Sequence, residues 1–183
     1  MTLQASKALV RNFLQRLDQA APNEVAAILN QYCSTDHTCY ASYPWRDLSD
    51  LNDVCTRLWL PFKQAFRHMQ RREDIFFAGV NPSDGKTWVL STGHYMALFD
   101  QAWLNMPPTN KVVMIRYAEF HQVTSDVICA SGIFLDMVGV MRQAGYDPLP
   151  NETGKFFTYP GPKTNDGILL EAQPAHGISL RVF

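Results

Sequence analysis

The apolar residues of this chain first follow a helical period, then a strand period, and return to a helical period near position 137. Three stretches near the N-terminus carry apolar residues at helical spacing, which predicts amphipathic helices. They cover positions 6–20, 22–31 and 50–66. The segment 33–46, between the second and third helices, has no lasting period and is predicted to be a loop. Pro61 falls inside the third pattern, where proline should kink the helix or restart it.

Runs rich in β-branched and aromatic residues follow these helices and predict strands. They lie at 74–80, 87–96, 111–123 and 127–135. The turn-forming sequences NPSDGK and TSD separate them into two antiparallel hairpins. Helical spacing returns after Leu135 and ends at Gly145, a natural C-terminal stop. Helices followed by a four-stranded meander predict an α+β fold, in which the helices cover one face of a curved antiparallel sheet and close it into a cone with an apolar mouth.

The composition is that of an ordinary globular domain. The 183 residues are 46% hydrophobic and 12% aromatic, and the formal net charge is −1. This length predicts one domain with a substantial core. The near-zero charge gives no basic surface that would favour nucleic acid or an acidic membrane. Because charged residues are scarce and aromatic residues abundant, we expect either a cavity for a hydrophobic small molecule or a hydrophobic subunit interface.

Several classes of protein and site are not indicated. The four cysteines form no C-x-x-C pair, and no signal peptide or membrane-spanning run is present, so we expect a cytoplasmic protein with reduced thiols. The five histidines show no metal-ligand spacing, and no glycine-rich phosphate loop occurs, so neither a metal nor a cofactor is predicted. Residues 1–147 are predicted to form the domain. Residues 148–183 are rich in proline and glycine and should pack on the domain or on a partner subunit.

Five segments occur in the order found in one known family. They are WLPFKQAFRHMQRREDIFFAG, STGHYMALF, PPTNK, RYAEFHQV and FLDMVGVMRQAG. Together they resemble the SnoaL-like polyketide cyclases, a branch of the ketosteroid isomerase/NTF2-like superfamily, over about 10–145. The resemblance implies an NTF2-like (cystatin-like) cone, a homodimer, no cofactor, and ring closure by intramolecular aldol addition. It also implies that Asp136 is the acid/base aspartate and that His121 is the assisting histidine.

The surroundings of Asp136 in the sequence allow two roles. Apolar neighbours on both sides would remove water from the carboxyl group and raise its pKa, which suits a base that removes a proton beside a carbonyl. The resulting enolate would attack a second carbonyl, and the protonated acid would then protonate the new alkoxide. Aspartate at a strand-to-helix boundary is equally a preferred helix N-cap. The sequence leaves both roles open.

The second hairpin relates Asp136 to the other candidates. A turn at Ser125–Asp126 places Asp136 opposite Ile115 and His121 opposite Ala130, so the two side chains share a face. They would be roughly 20 Å apart along a straight ladder, so a direct pair requires a bulge or curvature. Tyr117 is diagonal to Asp136, where its hydroxyl could donate to an oxyanion.

The predicted substrate pocket contains residues whose structural alternatives also stay open. It consists of Tyr117, Phe134, His94, Trp59 and Tyr40. The alternative for Tyr117 and Trp59 is a position in the core, and for His94 it is exposure to solvent. The alternative for His121 is a hydrogen-bonded position on a strand, and for Tyr40 it is a contact that holds the helices together. We therefore expect a cofactor-independent cyclase or isomerase acting through Asp136 on a hydrophobic carbonyl compound, or a non-catalytic binding or dimerisation module. A carboxylate bound by backbone amides favours the module.

Overall fold

A computed structural model describes residues 2–150 and shows a mixed sheet packed against helices. The helices are α1 (Leu3–Gln19), a 3₁₀ turn (Pro22–Glu24), α2 (Val25–Tyr32), α3 (Leu51–Asp53), a π-type turn (Val54–Trp59), α4 (Leu60–Ala65) and α5 (Met137–Gln143). The strands are β1 (Cys33–Ala41), β2 (Arg46–Leu48), β3 (Phe66–Val80), β4 (Thr87–Phe99), β5 (Lys111–Thr124) and β6 (Val127–Leu135). The predicted α+β fold is confirmed. The predicted extension lies outside the described residues from position 151 onward.

The sheet has six strands in the order β2-β1-β6-β5-β4-β3. The four strands predicted from the sequence form the antiparallel part, β3 to β6. The predicted loop over 33–46 is wrong, because most of it forms β1 and part of β2, and β1 pairs in parallel with β6. Only Cys33, His37, Cys39 and Ala41 of β1 are buried, and mostly polar residues lie between them, so no long apolar run marks this strand in the sequence.

The third predicted helix is a continuous helical segment over 51–65 with a change of winding in its middle. Asp50 caps its start, because Oδ1 accepts a hydrogen bond of 2.7 Å from the Asp53 amide. The π-type turn ends directly before α4, and Pro61 lies in the first turn of α4. Proline has no amide hydrogen and its ring crowds the preceding turn, and the wider π-type turn before it accommodates this. Pro61 therefore coincides with a change of winding, and the helical segment continues through it.

The helices cover one face of the sheet, which we call the inner face. On β5 the odd-numbered residues from Val113 to Val123 are buried on this face, and the even-numbered residues lie on the opposite, outer face. An aromatic cluster fills the space between the inner face and the helices: Trp59, Phe62, Phe66, Tyr95, Phe99 and Trp103. Within residues 2–150, no helix is long and apolar enough to span a membrane.

A bulge in β6 changes the predicted register of the second hairpin. The register shifts beside Gln122, and from there His121 pairs with Ser131, one residue later than the predicted Ala130. The Asp136 amide donates to the Arg116 carbonyl. A register shift of one residue moves every side chain of a strand to the opposite face. Asp136 therefore continues the outer-face positions of β6. The predicted shared face for Asp136 and His121 is therefore wrong.

Candidate functional site

Asp136 lies at the surface and caps α5. Its side chain is exposed, and Oδ1 accepts a hydrogen bond of 2.8 Å from the Gly139 amide. The expectation that apolar neighbours bury this carboxyl is wrong, because the bulge in β6 turns it to the outer face. A solvated carboxylate that accepts a backbone amide lacks the desolvation on which the predicted acid/base role depended. Of the two roles left open by the sequence, the contacts show the helix cap.

Substitution of Asp136 separates the cap from a catalytic role. We expect Asp136→Ala to lower the free energy of unfolding by about 1 kcal/mol, because the first turn of α5 loses its side-chain acceptor. Asp136→Asn keeps a capping oxygen, so it should lower the free energy of unfolding by only a few tenths of about 1 kcal/mol. Urea denaturation of both variants measures the difference. An asparagine variant as unstable as the alanine variant would contradict the cap.

The predicted pocket residues divide between the two faces of the sheet. His121, Tyr117 and Trp59 are buried on the inner side, with exposed fractions of 1–2%. Tyr40 and Phe134 lie together on the outer face, with ring centroids 6.0 Å apart. A single pocket formed by all of these residues is therefore wrong, because the sheet lies between the two groups.

His94 also lies on the outer face. It pairs across the sheet with Arg72 and Arg116, and its Nδ1 atom is 3.4 Å from Asp74 Oδ2. The exposed fraction of His94 is only 6%, so it is not the solvent-facing histidine of the alternative. Because the inner face is on the other side of β4, His94 does not point into the cone.

Polar side chains converge on the inner face, in what we call the inner polar cluster. Its members come from α1 and from five strands: Asp18, His37, Arg71, Glu73, Ser91, Tyr95, Tyr117, Glu119, His121 and Ser131. Aromatic and aliphatic core residues surround it. Two predicted site residues, His121 and Tyr117, belong to this cluster.

Arg71 is the centre of the cluster. Its guanidinium donates two hydrogen bonds to the Asp18 carboxylate, from Nε at 2.8 Å and from Nη2 at 3.1 Å. Its Nη1 atom lies 3.2 Å from Glu119 Oε2. The charged group also lies against the rings of Tyr95 and Tyr117, at 4.7 and 4.8 Å from their centroids. A planar guanidinium suits this combination of a bidentate pair and ring stacking.

Arg71 and Glu119 each stabilise the charged form of the other. Burial alone would raise the pKa of Glu119, but the Arg71 charge, with His121 and the Tyr95 hydroxyl, lowers it to about 2. Burial alone would lower the pKa of Arg71, but Glu119 and then Tyr95 and Asp18 raise it well above its ordinary value. Burial raises the pKa of Tyr117 to about 12, so its hydroxyl stays protonated. The cluster therefore holds a fixed ion pair and a phenol donor at neutral pH.

His121 connects this ion pair to a second histidine. Its Nε2 atom lies 3.5 Å from Glu119 Oε2, and its Nδ1 atom lies 3.0 Å from the Ser131 hydroxyl. The same hydroxyl is 2.9 Å from His37 Nε2. Burial, with a contribution from His121, lowers the pKa of His37 to about 4, so His37 is neutral at pH 7.

Glu119 Oε2 and two polar atoms next to it lack complete hydrogen bonding. Arg71 Nη1, Glu119 Oε2 and His121 Nε2 are buried, and within residues 2–150 none of them has a hydrogen-bond partner of good geometry. Leaving buried polar atoms unpaired costs free energy, so such atoms in a folded protein need an explanation. A donor, an acceptor and an imidazole that meet in apolar surroundings can bind one polar atom of an otherwise apolar molecule.

The cluster reaches solvent through Asp18. This residue lines an open pocket of about 390 Å³ at the end of α1, together with Pro22, Lys63, Phe66, His68 and Met69. The Asp18 side chain is 19% exposed, whereas those of Arg71 and Glu119 are 7% and 0% exposed. The pocket therefore leads from the surface to the outermost member of the cluster.

Eight of the ten cluster residues were missed from the sequence, among them the charged residues Asp18, Arg71 and Glu119. Glu119 had a usable signal, because it alternates with Tyr117 and His121 and so shares their face of β5. Arg71 had none, since it lies in the charged run RHMQRRED and nothing local distinguishes it from its neighbours. Asp18 is a single acidic residue on a helix and becomes notable only through its contact with β3.

Two other chemistries find little support in this part of the chain. Within residues 2–150 no group of three or more His, Cys, Asp or Glu side chains is placed to hold a metal ion. Burial raises the pKa of Cys33 and of Cys39 to about 12, so their thiols are poor nucleophiles at neutral pH.

Comparison with solved structures defines the class of fold. A SnoaL-like polyketide cyclase from Agrobacterium tumefaciens is 13% identical, covers 78% of this chain and 98% of its own, and gives a TM-score of 0.56. An NTF2-like protein from Burkholderia thailandensis is 15% identical over 80% of this chain and 99% of its own, also at 0.56. AclR from Streptomyces galilaeus, provisionally named a hydroxylase, is 15% identical over 79% and 98%, at 0.62. No protein-family profile and no curated protein matches the chain.

The chain therefore has the NTF2-like α+β cone fold, as the resemblance implied. The names of its structural neighbours include both cyclases and a hydroxylase. A fold that carries different activities does not define one of them, so the function has to be argued from the inner polar cluster.

Proposed function

We propose that this chain binds a hydrophobic carbonyl compound at the inner polar cluster and performs cofactor-independent acid/base chemistry of the polyketide-cyclase or isomerase type. The observation that carries the proposal is the meeting of Arg71 Nη1, Glu119 Oε2 and His121 Nε2 in a buried, aromatic environment. An apolar molecule that presents a carbonyl oxygen to Arg71 Nη1 and an adjacent C–H bond to His121 Nε2 would complement that arrangement. The structural neighbours named as polyketide cyclases support the reaction class.

Each of the three residues has a separate role in this mechanism. The Arg71 guanidinium stays charged and donates to the carbonyl oxygen, so it stabilises the negative charge of an enolate. In the tautomer whose proton is on Nδ1 and is donated to the Ser131 hydroxyl, His121 Nε2 is free to remove the proton from the carbon beside that carbonyl. The Glu119 carboxylate stabilises the imidazolium that results.

The proton then returns to the product. In a cyclisation, the enolate carbon forms a bond to a second carbonyl carbon, whose oxygen becomes an alkoxide. His121 gives its proton to that alkoxide and is neutral again. In an isomerisation, the same proton returns to a different carbon. Glu119 is a poor base in either case, because its pKa of about 2 leaves little tendency to accept a proton.

One observation favours a second function, a non-catalytic binding or dimerisation module. The Asp136 carboxylate is bound by the Gly139 amide, which is the contact that favours such a module. The module differs from the enzyme in that proton transfer at His121 is absent although a ligand still binds.

Proton exchange on a model ketone tests the proposed function. Acetylnaphthalene, a hydrophobic aryl methyl ketone, is incubated with the protein in D₂O, and NMR follows both its binding and the loss of its methyl protons. We expect the wild type to accelerate exchange and His121→Asn to reduce that acceleration by about 100-fold or more. Asparagine can keep the hydrogen bond to Ser131 but has no counterpart of Nε2.

Asp136→Asn is the matched control and should exchange protons at the wild-type rate. Binding of the ketone without exchange by either protein would replace the enzyme with the module. Exchange that is unaffected by His121→Asn, or no binding at all, would exclude the inner polar cluster as the site.

A further inference from the structure

The outer face of the sheet carries an apolar groove, which lies across the sheet from Arg71, Glu119 and His121 and shares only Ser131 with the inner polar cluster. It has a volume of about 590 Å³ and is lined mainly by aromatic and aliphatic side chains: Tyr40, Phe77, Trp88, Leu90, Phe120 and Phe134. The first of these is 52% exposed, and Phe77 and Phe134 are 41% and 40% exposed. Glycines at 79 and 132 also line the groove and add no side chain of their own.

Such a surface needs an occupant. A contiguous set of exposed aromatic side chains on a folded domain marks an interaction site, because leaving it in water is unfavourable. None of the lining residues carries a charge. The groove therefore suits an uncharged aromatic segment.

We propose that residues 156–159 of this same chain, with the sequence FFTY, dock in the outer groove. This segment supplies Phe156, Phe157 and Tyr159, and no charged residue lies between Lys155 and Lys163. Its chemistry therefore matches the uncharged aromatic lining. Pro160 and Pro162 follow it and limit the conformations that the unbound segment loses on docking.

The position of the chain end makes this docking geometrically accessible. Helix α5 begins three residues after Phe134, which lines the groove, and its seven residues rise only about 10 Å. The described part of the chain ends at Pro150, and Phe156 follows six positions later. Six residues span up to about 20 Å when extended, about twice the rise of α5, so the segment is long enough to turn back towards Phe134.

Fluorescence of Trp88 in the full-length chain tests the docking. Trp88 lines the groove, whereas Trp45, Trp59 and Trp103 are buried, so the difference between the wild type and Trp88→Phe isolates its signal. We expect Trp88 to resist quenching by acrylamide in the wild type. The double substitution F156D/F157D should raise its quenching constant several-fold and shift its emission to longer wavelength.

A matched control adds the same charges elsewhere in the extension. T164D/N165D should leave Trp88 protected. A double-mutant cycle with Phe134→Ala and Phe157→Ala provides an independent measure, because each substitution should lose most of its effect on unfolding once the other is present. Neither readout depends on activity, so failure of this inference is distinguishable from failure of the proposed function.

Three outcomes would overturn the inference. Trp88 that is freely quenched in the wild type would show an open groove. Protection that disappears on dilution, together with a dimer mass in light scattering, would assign the groove to a second copy. Protection that survives both F156D/F157D and dilution, with additive effects in the cycle, would assign it to something other than residues 156–159.

Discussion

Replacing Arg71 with methionine is expected to lower the free energy of unfolding by about 3–5 kcal/mol, which is a large part of the stability of a domain of this size. The guanidinium is the main compensating charge for Glu119, which is fully buried, and it also pairs with Asp18. Methionine fills similar space but leaves these carboxylates without their partner. Guanidinium or urea denaturation of the two proteins measures the difference.

Two further variants separate burial from charge in this result. Arg72→Met removes the neighbouring arginine of β3, whose side chain is exposed and donates to Gln70 Oε1, so it should cost no more than about 1 kcal/mol. Adding Glu119→Gln to Arg71→Met removes the isolated buried charge and should restore part of the loss. Equal losses for the two arginine variants would contradict the account of Arg71 as a buried counter-ion.

Gly93→Ala is expected to destabilise the domain by about 3 kcal/mol, a large effect for one methyl group. A Cβ atom at this position would lie 1.9 Å from the Arg72 carbonyl oxygen. That oxygen belongs to the backbone of β3, which pairs with β4 at this point, so the clash is relieved only by moving the strands apart. The shift in denaturation midpoint measures the cost.

Gly79→Ala is the matched control on the same pair of strands. No atom lies within 4 Å of a Cβ built at Gly79, and its backbone is not in the left-handed region. We expect a change within about 0.5 kcal/mol. A slight gain is compatible with this, because alanine reduces the freedom of the unfolded chain. Similar losses at the two glycines would show that strand propensity, and not the close approach at Gly93, determines the effect.

The elements of this fold were predictable where one face of an element is apolar over several turns or strand residues. Helix α1 and strands β4 and β5 bury regular sets of residues, and their periods are visible without knowledge of their partners. Strand β3 buries only Phe66 and Phe76, and its first half, before position 74, was not predicted as a strand. Strand β1 was not predictable in this way, because it is extended mainly through its pairing with β6, which lies far from it in the sequence. The cone was expected both from helices that close a curved sheet and from the resemblance to NTF2-like proteins, and the solved structures support it.

The candidate site was predictable only within a single strand. Alternation along β5 correctly placed Tyr117 and His121 on one face, and the same rule places Glu119 between them. The inference failed for Asp136, because it carried the register across the hairpin to the next strand. One bulged residue in β6 reverses the faces, and nothing in the sequence VICASG marks that bulge.

The sequence by itself determined the helices, the hairpins and the inward face of β5, because these follow from periods that repeat every few residues. Only the tertiary structure decided that Asp136 caps a helix and that Asp18, Arg71 and Glu119 meet. The physical reason is that a buried ion pair joins residues that are distant in the chain. Their charges interact strongly only in the low-dielectric surroundings that folding creates.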